Sequence, residues 1–365
     1  MKFRRSLSYI IVLLIVCMAA GCSESNTENL KEKVVTDKPV IIPATEADKD
    51  RIAAGDDAEN SSSKSDTENG DKNSTENGNS NGSTENGGSN EADTPDITEE
   101  PVVTEEPEAE VDVISKLENI RKKLIDNADY YNSLDNTSDE TWCFQRKKDH
   151  SPSGTYEYFK IADYNGFYLN TNVTDDDKVI YLTFDCGYPS DLTVKILDTL
   201  KKHNAKASFF VTKMYLEECA DYAIRMKKEG HAVCNHTVSH LDLRDKSVEK
   251  IASEIIDVAE YYYQVTGYEF DPYFRTPTGA YTKRLMTIIK DAGYKTVFWS
   301  IAYGDYDEKN QPEPGYVTNH FRTYHHNGAV ALMHNDSTSN ANELDAVLTL
   351  LEEEGYRFGA LSEIQ

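Results

Sequence analysis

The 365-residue chain is short of cations: 38 lysines and arginines stand against 64 aspartates and glutamates, a formal net charge of -26 at pH 7. A nucleic-acid partner needs a basic patch to neutralise its phosphates, and this balance excludes one. Apolar residues make up only 38% of the chain and tryptophan is limited to Trp142 and Trp299. Such a composition suits one folded domain with long polar extensions better than two average domains. A membrane-spanning run is lacking too, because the apolar stretch Tyr9 to Met18 is too short to cross a bilayer. Cysteine is sparse in the body of the chain, at Cys143, Cys186, Cys219 and Cys234. Four thiols allow three pairings, and a chain of this size needs none of them to form a core, so free and bridged states stand level.

What is present at the start is an export pattern. Lys2, Arg4 and Arg5 precede the apolar run, and the small residues Ala19, Ala20 and Gly21 follow it. Cys22 comes directly after, the arrangement of a bacterial lipoprotein signal, whose cysteine is lipidated and becomes the mature N-terminus; ordinary signal cleavage is the alternative. The expectation is a signal over 1–21 and anchoring through Cys22 to the outer face of the cell membrane. Residues 22–112 are poor in aromatics and carry an imperfect repeat at Thr67-Glu-Asn-Gly, Thr75-Glu-Asn-Gly and Thr84-Glu-Asn-Gly. Up to Asp112 the chain has 10 lysines and arginines against 25 acids, and after it 28 against 39. No apolar face recurs that could stack into a solenoid, so a disordered acidic tether is expected. Its flexible-coil span is on the order of 50 Å.

Over 113–177 a helical and aromatic lead-in is expected: Val113, Ile114, Leu117, Ile120 and Leu124 recur at helical spacing, and aromatics become dense from Trp142. Strand-like runs then alternate with helical ones. The strands are expected at Val179-Phe184, Ala207-Val211, Ala232-Asn235, Thr296-Ile301 and Ala329-Met333. Helices are expected at Leu192-His203, Tyr222-Glu229, Val248-Thr266, Lys283-Ala292 and Glu343-Glu354. Such alternation implies an α/β fold with a parallel sheet, and about seven units imply an open or closed barrel over 178–365.

Candidate chemistry falls at the carboxyl ends of these strands, where barrels of this kind build their sites. Asp185, Cys186 and Gly187 follow the buried run; a carboxylate capping the next helix is the lesser alternative for Asp185. His236-Thr-Val-Ser-His240 puts two imidazoles four apart, which on a helical turn would share a face and hold a metal ion. Arg275-Thr-Pro-Thr-Gly279 offers a bidentate grip for a carboxylate, or simply a turn. His334 ends a strand, and Asp305 could keep its ring oriented and basic; the bland readings are a structural histidine and a loop acid.

In this order the pieces resemble the motifs of the polysaccharide deacetylase family, of the nodulation-type chitooligosaccharide deacetylase kind, over about Lys178 to Ile364. Thr183-Phe-Asp-Cys-Gly187 matches the first motif, Thr-Phe-Asp-Asp-Gly. The second, third, fourth and fifth correspond to His236-His240, Arg275-Gly279, Asp305-Tyr306 and Leu332-Met-His334. Tyr181-Leu-Thr-Phe-Asp-Cys-Gly-Tyr188, Val297-Phe-Trp-Ser-Ile-Ala302 and the lead-in Thr141-Trp-Cys-Phe144 are similar to one subgroup, the delta-lactam-biosynthetic de-N-acetylases of the bacterial cell wall.

The resemblance implies a distorted (β/α)7 barrel and a carbohydrate de-N-acetylase. In it Asp185 is the general base, Arg275 its orienting partner, His334 the general acid and Asp305 the partner of His334. It further implies a divalent metal on His236 and His240, with Cys186 standing where most of the family has a metal-binding Asp and the subgroup Asn. A Cys186 thiolate would favour zinc over manganese, cobalt or magnesium; a bridge to Cys234, or no role at all, are the alternatives. Thr278 stands where many relatives have a Tyr whose backbone N–H meets the oxyanion. The expected substrate is N-acetylmuramic acid in peptide-free peptidoglycan strands, in the setting of spore cortex. An N-acetylglucosamine or chitin-type deacetylase is the second reading, and a non-catalytic glycan-binding module the third.

Overall fold

The computed structural model describes residues 112–137 and 141–364. The expected export signal, Cys22 and the tether lie outside the described residues. In chain order come α1 (Val113–Asp126), α2 (Ala128–Asn132), β1 (Phe144–Gln145), β2 (Gly154–Thr155), β3 (Gly166–Phe167), β4 (Val179–Cys186), α3 (Leu192–Lys202), β5 (Ala207–Val211), α4 (Lys213–Lys228) and β6 (Ala232–Asn235). Then follow α5 (Val248–Thr266), β7 (Tyr273–Phe274), α6 (Lys283–Asp291), β8 (Lys295–Val297), α7 (Tyr316–Tyr324), β9 (Ala329–His334), α8 (Thr338–Glu353) and β10 (Arg357–Phe358).

The organising strand is β4, buried along all of its length, as an unbroken apolar run requires of a parallel strand covered on both faces. Alternation decides its two faces. Ile180, Leu182, Phe184 and Cys186 pack with Ile196, Leu197 and Leu200 of α3, Leu216 and Ala223 of α4, and Leu344 and Val347 of α8. Val179 and Tyr181 turn the other way, onto Phe210, Cys234, Tyr273, Val297 and Val330. Burial of each large apolar side chain here contributes roughly 1.5–3 kcal/mol.

The parallel sheet runs β10-β4-β5-β6-β7-β8-β3, and β9 also pairs with β4. A parallel bridge between Ile301 and Ala331 carries the chain beyond β8 back to β9. The sheet therefore curls on itself as the distorted barrel expected. The strand expected over Thr296-Ile301 stops early, because the N–H groups of Ser300 and Ile301 both donate to the Val330 carbonyl and the Ser300 hydroxyl takes the Val330 N–H. Helices α4 and α8 begin earlier than their apolar periodicity indicates, at side-chain caps from Thr212 and Ser337.

All four described cysteines are free. A bridge from Cys186 to Cys234 is ruled out by the topology: β5 lies between their strands, putting them roughly 9–10 Å apart across the sheet, and their side chains belong to opposite faces.

The lead-in packs on the barrel. On α1, Arg121 reaches Asp257 and Glu260 of α5 at 2.5 and 3.0 Å. Trp142 is buried and stacks on Phe298 with centroids 4.5 Å apart. Its backbone N–H donates to the Gly279 carbonyl at 2.7 Å and its indole N–H to the Trp299 carbonyl at 2.8 Å.

Candidate active site

Asp185, the last residue but one of β4, is in register with His334 at the end of β9, so one strand pair sets both groups at the same mouth. The cleft there is lined by Asp185, His236, His240, Thr278, Trp299 and His334, among others.

Asp185 is buried, and its Oδ1 accepts from Arg275 Nη1 at 2.6 Å. The grip is not bidentate. Arg275 spends Nη2 on the Thr183 hydroxyl at 2.9 Å and Nε on the Val297 carbonyl at 3.0 Å, so the fork is fixed by the walls of the barrel. The guanidinium is fully buried and lies 4.1 Å from the Phe210 ring centroid. Burial works against ionisation of Asp185, but Arg275, His236 and His334 outweigh it and hold the carboxyl below its usual range.

Across the cleft, His334 Nδ1 meets Asp305 Oδ1 at 2.8 Å, and the His334 backbone N–H donates to Asp305 Oδ2 at 2.8 Å. Burial opposes a charged ring. The Asp305 contact, reinforced by Asp185 and Asp336, overcomes this and pushes His334 up to about 9.

His236 and His240 share a face, though not on a helical turn. Residues 236–240 form a loop, in which Thr237 and His240 take left-handed backbone angles, φ 74° and 54°. Such angles are costly for residues other than glycine and need outside support. Glu254, fully buried on α5, accepts from the Val238 and Ser239 N–H groups at 3.0 and 2.9 Å and from the Ser239 hydroxyl at 2.6 Å. His240 N–H donates to the Thr237 hydroxyl at 2.9 Å. The ring centroids of His236 and His240 are 4.9 Å apart, and His236 Nε2 is 3.5 Å from Asp185 Oδ2.

The donor chemistry of this pair fits a divalent metal. Burial lowers both imidazoles, His240 to about 3, which favours the neutral form that a metal ligand needs. His236 Nδ1 lies 2.8 Å from the Arg275 carbonyl; as the N–H donor there it leaves Nε2 to the cleft, the usual support for a metal-binding histidine. Cys186 does not join them. One residue along the strand from Asp185, it faces the apolar cluster under α3 and α4, and burial pushes its thiol well up. Among the described residues no group of three or more His, Cys, Asp or Glu side chains is set to hold a metal. The two imidazoles would thus leave the remaining positions of a bound ion to water and substrate.

Three residues of the site go beyond the motifs. Glu254 shapes the histidine loop. Asn340 on α8 donates to Asp305 Oδ2 at 2.6 Å and to the His334 carbonyl at 3.1 Å. Asp336 lines the cleft, with its carboxyl raised by burial. The only sequence signal for Glu254 is an acid inside the apolar face of α5.

The polysaccharide deacetylase family model matches residues 172–297. The peptidoglycan-N-acetylmuramic acid deacetylase PdaA of Bacillus subtilis (strain 168) is 37% identical over 225 residues, 61% of this chain and 84% of that protein. A peptidoglycan-N-acetylglucosamine deacetylase of Bacillus cereus is 30% identical over 203 residues, 54% of this chain and 92% of that one. The solved structure of Bacillus subtilis PdaA, a family 4 carbohydrate esterase, superposes with a TM-score of 0.58 at 36% identity, covering 61% of this chain and 95% of that one.

Proposed function

The chain belongs to the polysaccharide deacetylase family, and from that premise we propose that it hydrolyses the N-acetyl group of N-acetylmuramic acid in peptide-free peptidoglycan strands. The observation that carries the chemistry is the placing of two carboxylate–cation dyads at one cleft, Asp185 with Arg275 and His334 with Asp305. The muramic assignment rests on the 37% identity to PdaA over most of that protein.

Asp185 enters the reaction ionised and takes the proton of the attacking water, while Arg275 keeps the carboxylate aimed into the cleft. His334 enters protonated and gives its proton to the departing nitrogen; Asp305, fixed by Asn340, holds the ring so that its other nitrogen faces the substrate. The Thr278 backbone N–H is the donor assigned to the oxyanion. A left-handed turn at Thr278 and Gly279, φ 56° and 69°, forms the wall there. When bound on His236 and His240, a divalent metal supplies Lewis acidity toward the acetamide oxygen and the water. Zinc suits two imidazoles best, with manganese, cobalt or magnesium as alternatives. The products are a free sugar amine and acetate.

Export and lipidation of Cys22, supported by the pattern of the first 22 residues, would hold the enzyme at the outer face of the membrane, with residues 22–112 as tether and 178–365 as catalytic domain. The relatives' peptidoglycan substrates are consistent with a cell-wall site, and sporulation is the setting we assign. Mass spectrometry of digested, peptide-free glycan after treatment with the enzyme tests the substrate: acetyl loss on the muramic sugar supports the proposal, and loss confined to glucosamine overturns it.

A further inference from the structure

Tyr156 and Tyr158 stand out on the lead-in as exposed rings, 66% and 43% accessible, packed edge to face with centroids 5.3 Å apart. Isolated exposed tyrosines are ordinary. Here two of the five large exposed hydrophobic side chains among the described residues form one unit.

Their position follows from the β1–β2 hairpin. At its tip, His150 Nδ1 meets the His325 carbonyl at 2.8 Å, at the foot of β9. Midway, the Ser153 hydroxyl donates to the Ser300 carbonyl at 2.8 Å. At its open end, Thr141 bridges Ala280, and the Trp142 N–H donates to the Gly279 carbonyl. The hairpin thus climbs the wall and leaves at the mouth of the barrel. Tyr158 lies 6.3 Å, centroid to centroid, from Tyr281. That ring is two residues beyond Gly279 in the turn that walls the cleft. An aromatic layer runs through Tyr281, Phe298 and Trp142 to Trp299 and Leu332, which themselves line the cleft. The tyrosine pair is the outer end of that layer.

We propose that Tyr156 and Tyr158 form an outlying subsite that stacks sugar rings of the same glycan strand, next to the residue being deacetylated. This rests on the reading of the cleft as a polysaccharide site. The chemistry suits the ligand: a pyranose presents an apolar C–H face and a hydroxyl rim, and a tyrosine presents an apolar ring and a polar tip. Stacking of this kind needs no charge on the sugar, so it is open to both the neutral glucosamine rings and the muramic rings with their lactyl carboxylates.

The test compares the full-length protein with Tyr156→Ser/Tyr158→Ser and Tyr156→Phe/Tyr158→Phe on long peptide-free strands and on a single disaccharide of the same glycan. Binding is read by titration calorimetry and turnover by acetate release. The serine pair is expected to weaken long-strand affinity and raise KM by roughly three- to tenfold. It should leave kcat and the disaccharide unchanged, and the phenylalanine pair should behave as the parent. Equal affinity for long strands in parent and serine pair overturns the subsite. So does an equal loss on both lengths, which would make the tyrosines supports of the wall. Calorimetry judges the subsite even where no acetate appears, an outcome that counts against the deacetylase reading instead.

Discussion

Arg275 donates to Asp185 at 2.6 Å from a guanidinium that is itself sealed from solvent, with its other nitrogens committed to Thr183 and Val297. A carboxylate buried in this way depends on its partner. Removing one member of a buried pair commonly costs about 3–5 kcal/mol. Arg275→Met should therefore lower both stability and activity, and Asp185→Asn, which keeps an acceptor oxygen for Arg275 but not the charge, should also lose some stability while losing acetate release by roughly 10²–10⁴. Thermal unfolding measured beside kcat distinguishes the two effects.

The pH profile should report His334. The ring is useful as an acid below about 9 and loses its proton as pH rises through that value, while Asp185, held below the ordinary carboxylate range, is already ionised at neutral pH. Asp305→Asn removes the main favourable charge, so the alkaline limb of kcat/KM should move down toward the ordinary imidazole value of about 6.5. An unmoved limb would assign it to another group.

Chelation should lower kcat/KM reversibly, with zinc restoring it in the parent and failing to restore it in His240→Ala. Equilibrium dialysis of the metal against both proteins checks this independently of turnover. Cys186→Ala should leave metal affinity unchanged and acetate release within about threefold. Its cost should appear as a lower Tm, because the side chain fills the apolar cluster beneath α3 and α4.

Gly279 takes φ 69°, and a Cβ there would come within 2.8 Å of the Trp299 ring and 3.0 Å of Trp142 Cβ. Gly279→Ala should cost about 1–3 kcal/mol and displace the cleft wall. Denaturant midpoints and KM should both shift.

Much of this arrangement was legible before any fold was known. The apolar run ending at Asp185 marks a central parallel strand by length and composition, and the order of the motifs places Arg275, Asp305 and His334 around it through resemblance to a family. Other parts were not. Asn340 reaches Asp305 only because α8 packs back against the end of β9, and Glu254 reaches the histidine loop only through the tertiary placement of α5; spacing encodes neither. The two-residue strands β3, β7 and β10 are too short to leave a period. Cys186 is a different case: it closes β4, and only the fold shows that its side chain falls in the apolar cluster beneath α3 and α4.

The most direct test of the account is acetate release from peptide-free peptidoglycan strands by the full-length protein, beside Asp185→Asn, with and without added zinc. Release by the parent with zinc is expected, with near-complete loss in Asp185→Asn under the same conditions. No release by a folded parent with zinc, manganese, cobalt or magnesium, or equal release by the variant, would contradict it.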